Sequence, residues 1–328
     1  MDGTDPSPRD ELLAGYDALA SAAALYEDPE RAVFRIEGDR AARVLNGLLS
    51  ADVEALGPGQ ATLTFILTSK GRPVAVPTLI RLESAFLLDV SRAALVGLLD
   101  HFATYLPPRF ASVVALEGAR RLSLIGPRAP EVEATAASEG GAPAGLTASA
   151  VRVERAPMDG GGFDYFFPGG GASADGFASA LRTAGAVSAS EEAFETWRVE
   201  MGIPRFGRDI TADNLPQETG LVSRAVSFDK GCYTGQEVVA RIHYRGRVQR
   251  HFRGLEALQA PAGAPAPGTR LSADGREVGA ITSWCESPRF GHIGLAYVRR
   301  ELGAGDPIRL ESTPPISCRV RDLPLTSR

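Results

Sequence analysis

The sequence predicts an α+β protein that ends in a small antiparallel β-barrel. Two patterns point there. Up to about residue 247, β-branched runs alternate with stretches whose apolar residues recur every three or four positions. Beyond it, short strands follow one another through Pro, Gly and Asp-Gly turns with no helical stretch between them. The 328 residues suffice for two or three compact units, and 44% hydrophobic with 23% charged residues is ordinary for a globular chain.

Residues 1–20 read as a flexible tail leading into a short helix, and AVFRI (32–36) as a strand. GDRAARVLNGLLS (38–50) is a helix by spacing: Val44, Leu45, Leu48 and Leu49 share a face, with Asp39 as its cap. ATLTFILT and PVAVPTLIRL are strands joined by SKGR, a hairpin tip at which Gly71 supplies an unusual backbone angle. After the strand AFLLDV (85–90), residues 91–106 form an amphipathic helix capped by Ser91. Its buried face is Leu95, Leu98, Leu99, Phe102 and Leu106. Strands at ASVVAL and ARRLSLIG precede a loop at 138–149. The clusters DGGG and PGGG bracket the strand FDYFF and lack nucleotide-loop spacing, so they are turns. Residues 190–207 form a helix ending near Gly202. Phe194, Trp197 and Met201 are its buried stripe, flanked on opposite sides by Arg198 and Glu200. The resulting division is a tail (1–20), an α+β region (21–247, in lobes of about 21–115 and 116–247) and a barrel (248–328).

No apolar run reaches the ~18–20 residues of a membrane span. The polar, acidic start MDGTDPSPRDELL is neither a secretory signal nor a transit peptide, so a cytoplasmic chain with no membrane partner is expected. Cys232, Cys285 and Cys318 lie far apart, which argues against a disulfide framework and against a self-contained zinc or iron–sulfur site. A net charge of −5 confines any nucleic-acid affinity to a local patch.

The chemistry concentrates in FDKGCYTGQE (228–237). Of 35 basic residues only Lys70 and Lys230 are lysine, and each precedes a glycine. In a chain biased toward arginine, a surviving lysine marks a place the planar guanidinium does not fit, or chance. TGQE fits a capping box in which Thr234 accepts from the N–H of Glu237 and Glu237 reaches back, with Gln236 inside the turn. Cys232 then sits two residues before a helix, at the positive end of its dipole. Lys230 is close by, and Gly231 and Gly235 leave the sulfur unshielded. Tyr233 completes the motif. An activated thiolate is the expectation. The alternatives are an inert cysteine in a capped turn, a metal ligand sharing its ion with a second chain or cofactor, and a dyad with His243 or His251 across the domain break. RIHYRGRVQRHFR (241–253) carries five arginines, two histidines, two aromatics and no acid. That mixture suits phosphate contacts and base stacking, a polyanionic small-molecule tail, or simply a solvated face.

KGCYTGQE resembles the signature of YgfZ-type proteins, folate-binding relatives of the glycine-cleavage T-protein (aminomethyltransferase). The likeness extends to IEGDRAARVLNGLLSADVEALGPGQ, to LTSKGR, to WRVEMGIPRFGRDITADNLPQETGL and to GREVGAITS…PRFGHIGLAYV, about residues 30–315 in all. It implies a two-lobed, aminomethyltransferase-like folate-binding region around a central cavity, closed by the barrel. Tetrahydrofolate, or a one-carbon derivative of it, is the implied cofactor. Glu200 would meet the pterin, with Arg198, Gln217, Arg241 and Arg245 as further folate contacts and Cys232 and Lys230 as the catalytic pair. The T-protein's catalytic aspartate is replaced: DVSRAALVGLL places Ala94 or Leu95 there. The implied role is maintenance of iron–sulfur enzymes and of the tRNA modification that depends on them. Its partners would be assembly factors or client enzymes, with tRNA reached through 241–253 and Cys232 a candidate cluster ligand. The alternatives are a folate-dependent aminomethyl or methyl transferase or demethylase, and an RNA-binding module.

Overall fold

The computed structural model describes residues 7–138 and 150–325; all but the first residue of the loop expected at 138–149 lies outside them. The chain divides into two compact units, residues 1–33 with 115–198, and residues 34–114 with 199–328. These units interleave along the sequence, whereas the lobes read from it are contiguous. Sheet pairing joins distant segments, which local patterns do not report.

The first unit is built on a five-stranded sheet in the order Val151–Glu154, Phe163–Phe167, Arg120–Ile125, Ala24–Glu27, Val187–Ser188. Its inward face (Leu25, Leu122, Leu124, Tyr165, Phe167) packs on Phe177 and Leu181 of the helix Gly171–Thr183 and on Val132 of Ala129–Ser138. The expected tail is a helix from Pro8 to Ser21. Ser7 and Asp10 form a reciprocal capping box, and Tyr16 and Leu19 are buried.

Asp164 lies on the Phe163–Phe167 strand. Burial pushes its pKa up, but the charges of Arg121 and Arg155 and the Ser123 hydroxyl outweigh it and hold the carboxyl at about 2. The Arg155 guanidinium is 2.8 Å from its oxygen and the Ser123 hydroxyl 2.6 Å. The folded value is below the unfolded 3.8, so this stability is present above pH 3.8 and is lost as pH falls through 2. The stability advantage of wild type over Asp164→Asn is expected to shrink by about 2 kcal/mol between roughly pH 5 and pH 2. Denaturant midpoints at the two pH values measure it; a constant difference would refute the assignment.

The second unit holds a five-stranded sheet in the order Ala61–Leu63, Thr78–Arg81, Ala85–Ser91, Arg31–Glu37, Ser112–Ala115. The two long strands read between 61 and 82 are broken. Ile66–Leu67 and Pro73–Ala75 form a separate hairpin around the SKGR tip. The helix Ala41–Leu48 starts at Arg40 without a side-chain cap, so Asp39 does not cap it. Ser91 does accept a bond from Ala93 N, at the head of a 3₁₀ turn that leads into Leu95–Tyr105. Leu98, Phe102 and Leu106 are buried there, but Leu99 is half exposed, on the far side of so short a helix.

The C-terminal segment forms a closed six-stranded barrel in the order Arg250–Ala257, Gly291–Arg299, Arg276–Ser287, Arg270–Ala273, Pro307–Leu310, Ile316–Arg321. Leu255, Leu271, Ile281, Val298, Leu310 and Val320 fill it. The Asp274-Gly275 pair turns its hairpin with positive φ at both residues. Among the described residues no helix is long and apolar enough to cross a membrane.

Candidate functional site

Lysine carries three N–H donors on a single atom. In Lys230 all three are engaged: Nζ donates to the main-chain carbonyls of Asn46 (2.5 Å), Leu49 (2.8 Å) and Ala51 (2.8 Å). Asn46 belongs to the last turn of Ala41–Leu48, where helix carbonyls run out of partners. The Thr234 N–H takes the next one, donating to Gly47 O at 3.0 Å. The loop therefore caps the negative end of that helix with an ammonium and an amide. Burial pulls the Lys230 pKa down to about 8, while Asp52 and Glu54 pull the other way.

Two expectations are corrected here. Lys230 does not hydrogen-bond Cys232, because its three donors converge on the helix end. TGQE does not form a capping box either. The helix Gln236–Arg245 has Gly235 at its N-cap, with φ +83°, and no side-chain cap. That left-handed residue starts the helix one position late. Glu237 points outward and pairs with Arg241 at 3.1 Å.

Tyr233 is the second anchor. It is buried with Phe65, Leu67, Ile210, Leu221, Ala225 and Val239. Its hydroxyl has no partner among the described residues, and burial pushes its pKa up to about 12. The Lys230 ammonium lies 5.3 Å from its ring centre. Gly235 is the third anchor, packed on the Thr68 carbonyl and on Gly71 of the SKGR tip. The two lysine–glycine turns thus meet, although Lys70 itself is exposed.

Between these anchors Gly231 and Cys232 are exposed. Cys285 is half-buried, and Cys318 lies inside the barrel with its thiol pushed up to about 12 by burial. Among the described residues no three metal-binding side chains come together. The described residues therefore assemble no donor set for a resident iron–sulfur cluster, to which Cys232 could lend a single ligand. Neither His243 nor His251 bonds Cys232. His243 stacks on Phe228 with ring centres 3.9 Å apart.

The other expected residues have the following surroundings. Arg198, in the first unit, is fully buried and grips Glu195 with two 2.8 Å bonds. Glu200, in the second, is 2% exposed and accepts from the Ser287 hydroxyl at 2.5 Å, with Arg289 at 3.9 Å. Gln217 donates to Val239 O at 2.8 Å. Gln236 is half-buried, while Arg241 and Arg245 are exposed on the final helix. In the 241–253 stretch Arg250 and Arg253 are tied to Glu218 and Asp322, leaving Arg241, Tyr244, Arg245 and Arg247 outward. Ala94 is buried and Leu95 follows it, so neither offers a carboxylate.

Sequence reasoning missed Ser287 and Asp209. Asp209 is buried and accepts from Thr282 (2.5 Å) and Ser283 (2.7 Å). Two serines four apart at inward positions of an apolar barrel strand were the available signal.

Residues 250–326 match the glycine cleavage T-protein C-terminal barrel domain. The chain is 27% identical over 82% of its length to a putative chloroplastic transferase of Arabidopsis thaliana, of which it spans 64%. It is 28% identical over 88% of its length to an aminomethyltransferase of Saccharopolyspora erythraea, covering 82% of that protein. The crystal structure of the glycine cleavage aminomethyltransferase T from Bartonella henselae superposes with a TM-score of 0.82 at 23% identity, covering 96% of this chain and 89% of that one. The fold is aminomethyltransferase-like, and the comparisons support kinship with the glycine-cleavage T-protein family through a barrel domain matched in sequence.

Proposed function

We propose that the chain is a tetrahydrofolate-binding protein of the YgfZ type. In this reading it offers Cys232 as an accessible thiol to iron–sulfur assembly factors or their client enzymes, and so supports iron–sulfur-dependent tRNA modification. One observation carries the reading: Cys232 is exposed between two fixed residues, the clamped Lys230 and the buried Tyr233. A thiol held this way keeps its position in the free protein, so a partner docks without first ordering the loop. The folate part rests on Glu200, a buried carboxylate whose oxygens suit pterin N–H donors and whose orientation Ser287 holds. Bound folate would supply a one-carbon carrier. Arg241, Tyr244, Arg245 and Arg247 form the outward surface on which tRNA contact is proposed.

Cys232→Ala is expected to leave the unfolding midpoint and tetrahydrofolate affinity unchanged, yet to stop the protein from restoring iron–sulfur enzyme activity in cells that lack it. Full restoration by this variant would sink the thiol reading. Glu200→Gln is expected to weaken tetrahydrofolate binding about tenfold by calorimetry, and wild type that binds no folate would remove the cofactor. Aminomethyl transfer is the second reading, favoured by the names of the relatives. Ala94 and Leu95 leave it without the acid that the resemblance places there.

A further inference from the structure

A concave site lies at the opposite end of the Gln236–Arg245 helix from Cys232, roughly 15 Å along its axis. It is a cleft of ≈ 530 Å³ with Ile242 and Val248 as apolar lining and Gln217, Arg247, His251 and Arg300 as polar lining. That volume is within the usual range for small-molecule pockets.

Two features make it more than a surface depression. The Gln217 amide is fixed, because its Nε2 donates to Val239 O at 2.8 Å. Its Oε1 is consequently a buried acceptor with no partner among the described residues. A buried acceptor without a partner is unfavourable, and a ligand N–H or O–H would satisfy it. Secondly, Arg247 and Arg300 are exposed, and neither forms an ion pair among the described residues. The lining's one acid, Glu301, faces Arg299 at 3.9 Å. Burial and the nearby Arg253 and Arg300 keep the half-buried His251 toward its neutral form, against Glu218.

We propose that this cleft binds a small acidic amide: a carboxylate held between Arg247 and Arg300, with an amide N–H donating to Gln217 Oε1. Planar guanidinium forks match a carboxylate, and the fixed amide oxygen selects against anions that bring no donor. Neither Cys232 nor Glu200 lines the cleft, and Gln217, expected above as a folate contact, serves the amide here.

The test is calorimetry on the full chain at constant ionic strength, with N-acetyl-glutamyl-glutamate as one probe and inorganic phosphate as the other. The dipeptide is expected to bind saturably, and Arg247→Ala and Arg300→Ala to weaken it at least fivefold each. Both side chains are exposed, so the fold is kept. Gln217→Met is expected to weaken the dipeptide more than phosphate, while Glu200→Gln leaves the dipeptide unaffected. Absence of saturable binding, or binding indifferent to both arginines, overturns the site. Phosphate binding as tightly as the dipeptide, without a Gln217 effect, overturns the acidic-amide assignment.

Discussion

Lys230→Met is expected to destabilise the second unit by about 3 kcal/mol or more, the largest effect of any substitution outside the cores. The change deletes three charge-assisted bonds at once and leaves the carbonyls of Asn46, Leu49 and Ala51 without the ammonium they share. Two of those residues, Leu49 and Ala51, are buried, so water cannot simply take over. Lys230→Arg is expected to recover less than half of the loss. A guanidinium spreads its donors across a plane and cannot place three on one point. Guanidinium-chloride midpoints followed by circular dichroism decide the matter; a loss below about 1 kcal/mol would mean the clamp is incidental. The same variants are expected to alter the rate at which a maleimide labels Cys232, since the loop's first anchor is gone.

Gly235→Ala is expected to cost roughly 3 kcal/mol, from two sources. At φ +83° an L-residue is strained, and an added Cβ would stand 2.6 Å from the Thr68 carbonyl oxygen. Backbone must move to make room. Gly71→Ala, at φ +70° with the Val238 Cβ only 2.9 Å away, strikes the same contact from the other side and should cost nearly as much. Gly231→Ala is the control. Nothing lies within 4 Å of its would-be Cβ and its φ is not positive, so stability should change by no more than about 0.5 kcal/mol. Equal losses at all three positions would remove the case for a docked pair of turns.

The fates of these glycines show how far residues speak for themselves. Asp274-Gly275 declared its hairpin, and the spacing of Leu98, Phe102 and Leu106 declared a helix face, because both depend on neighbours within a turn or two. The K-G-C-Y-T-G-Q-E stretch stood out as the site, but its wiring did not. Lys230 bonds residues about 180 positions earlier, and no local pattern reports which carbonyls a folded chain will bring to an ammonium. Thr234 looked like a cap because Glu237 follows at the right interval. The contact of Gly235 with the 67–71 hairpin moved the helix start by one residue and undid it. Glu200 was singled out as acidic, whereas the Ser287 hydroxyl that holds it lies on a distant strand.

The ring of six C-terminal strands has one more consequence. Each strand there pairs on both sides along part of its length, so the one-sided main-chain edges fall at the overhangs, chiefly 283–287 and 250–253. A visiting strand could anneal only at those short overhangs and not around the rest of the cylinder. Where the ring is closed, recognition falls to side chains.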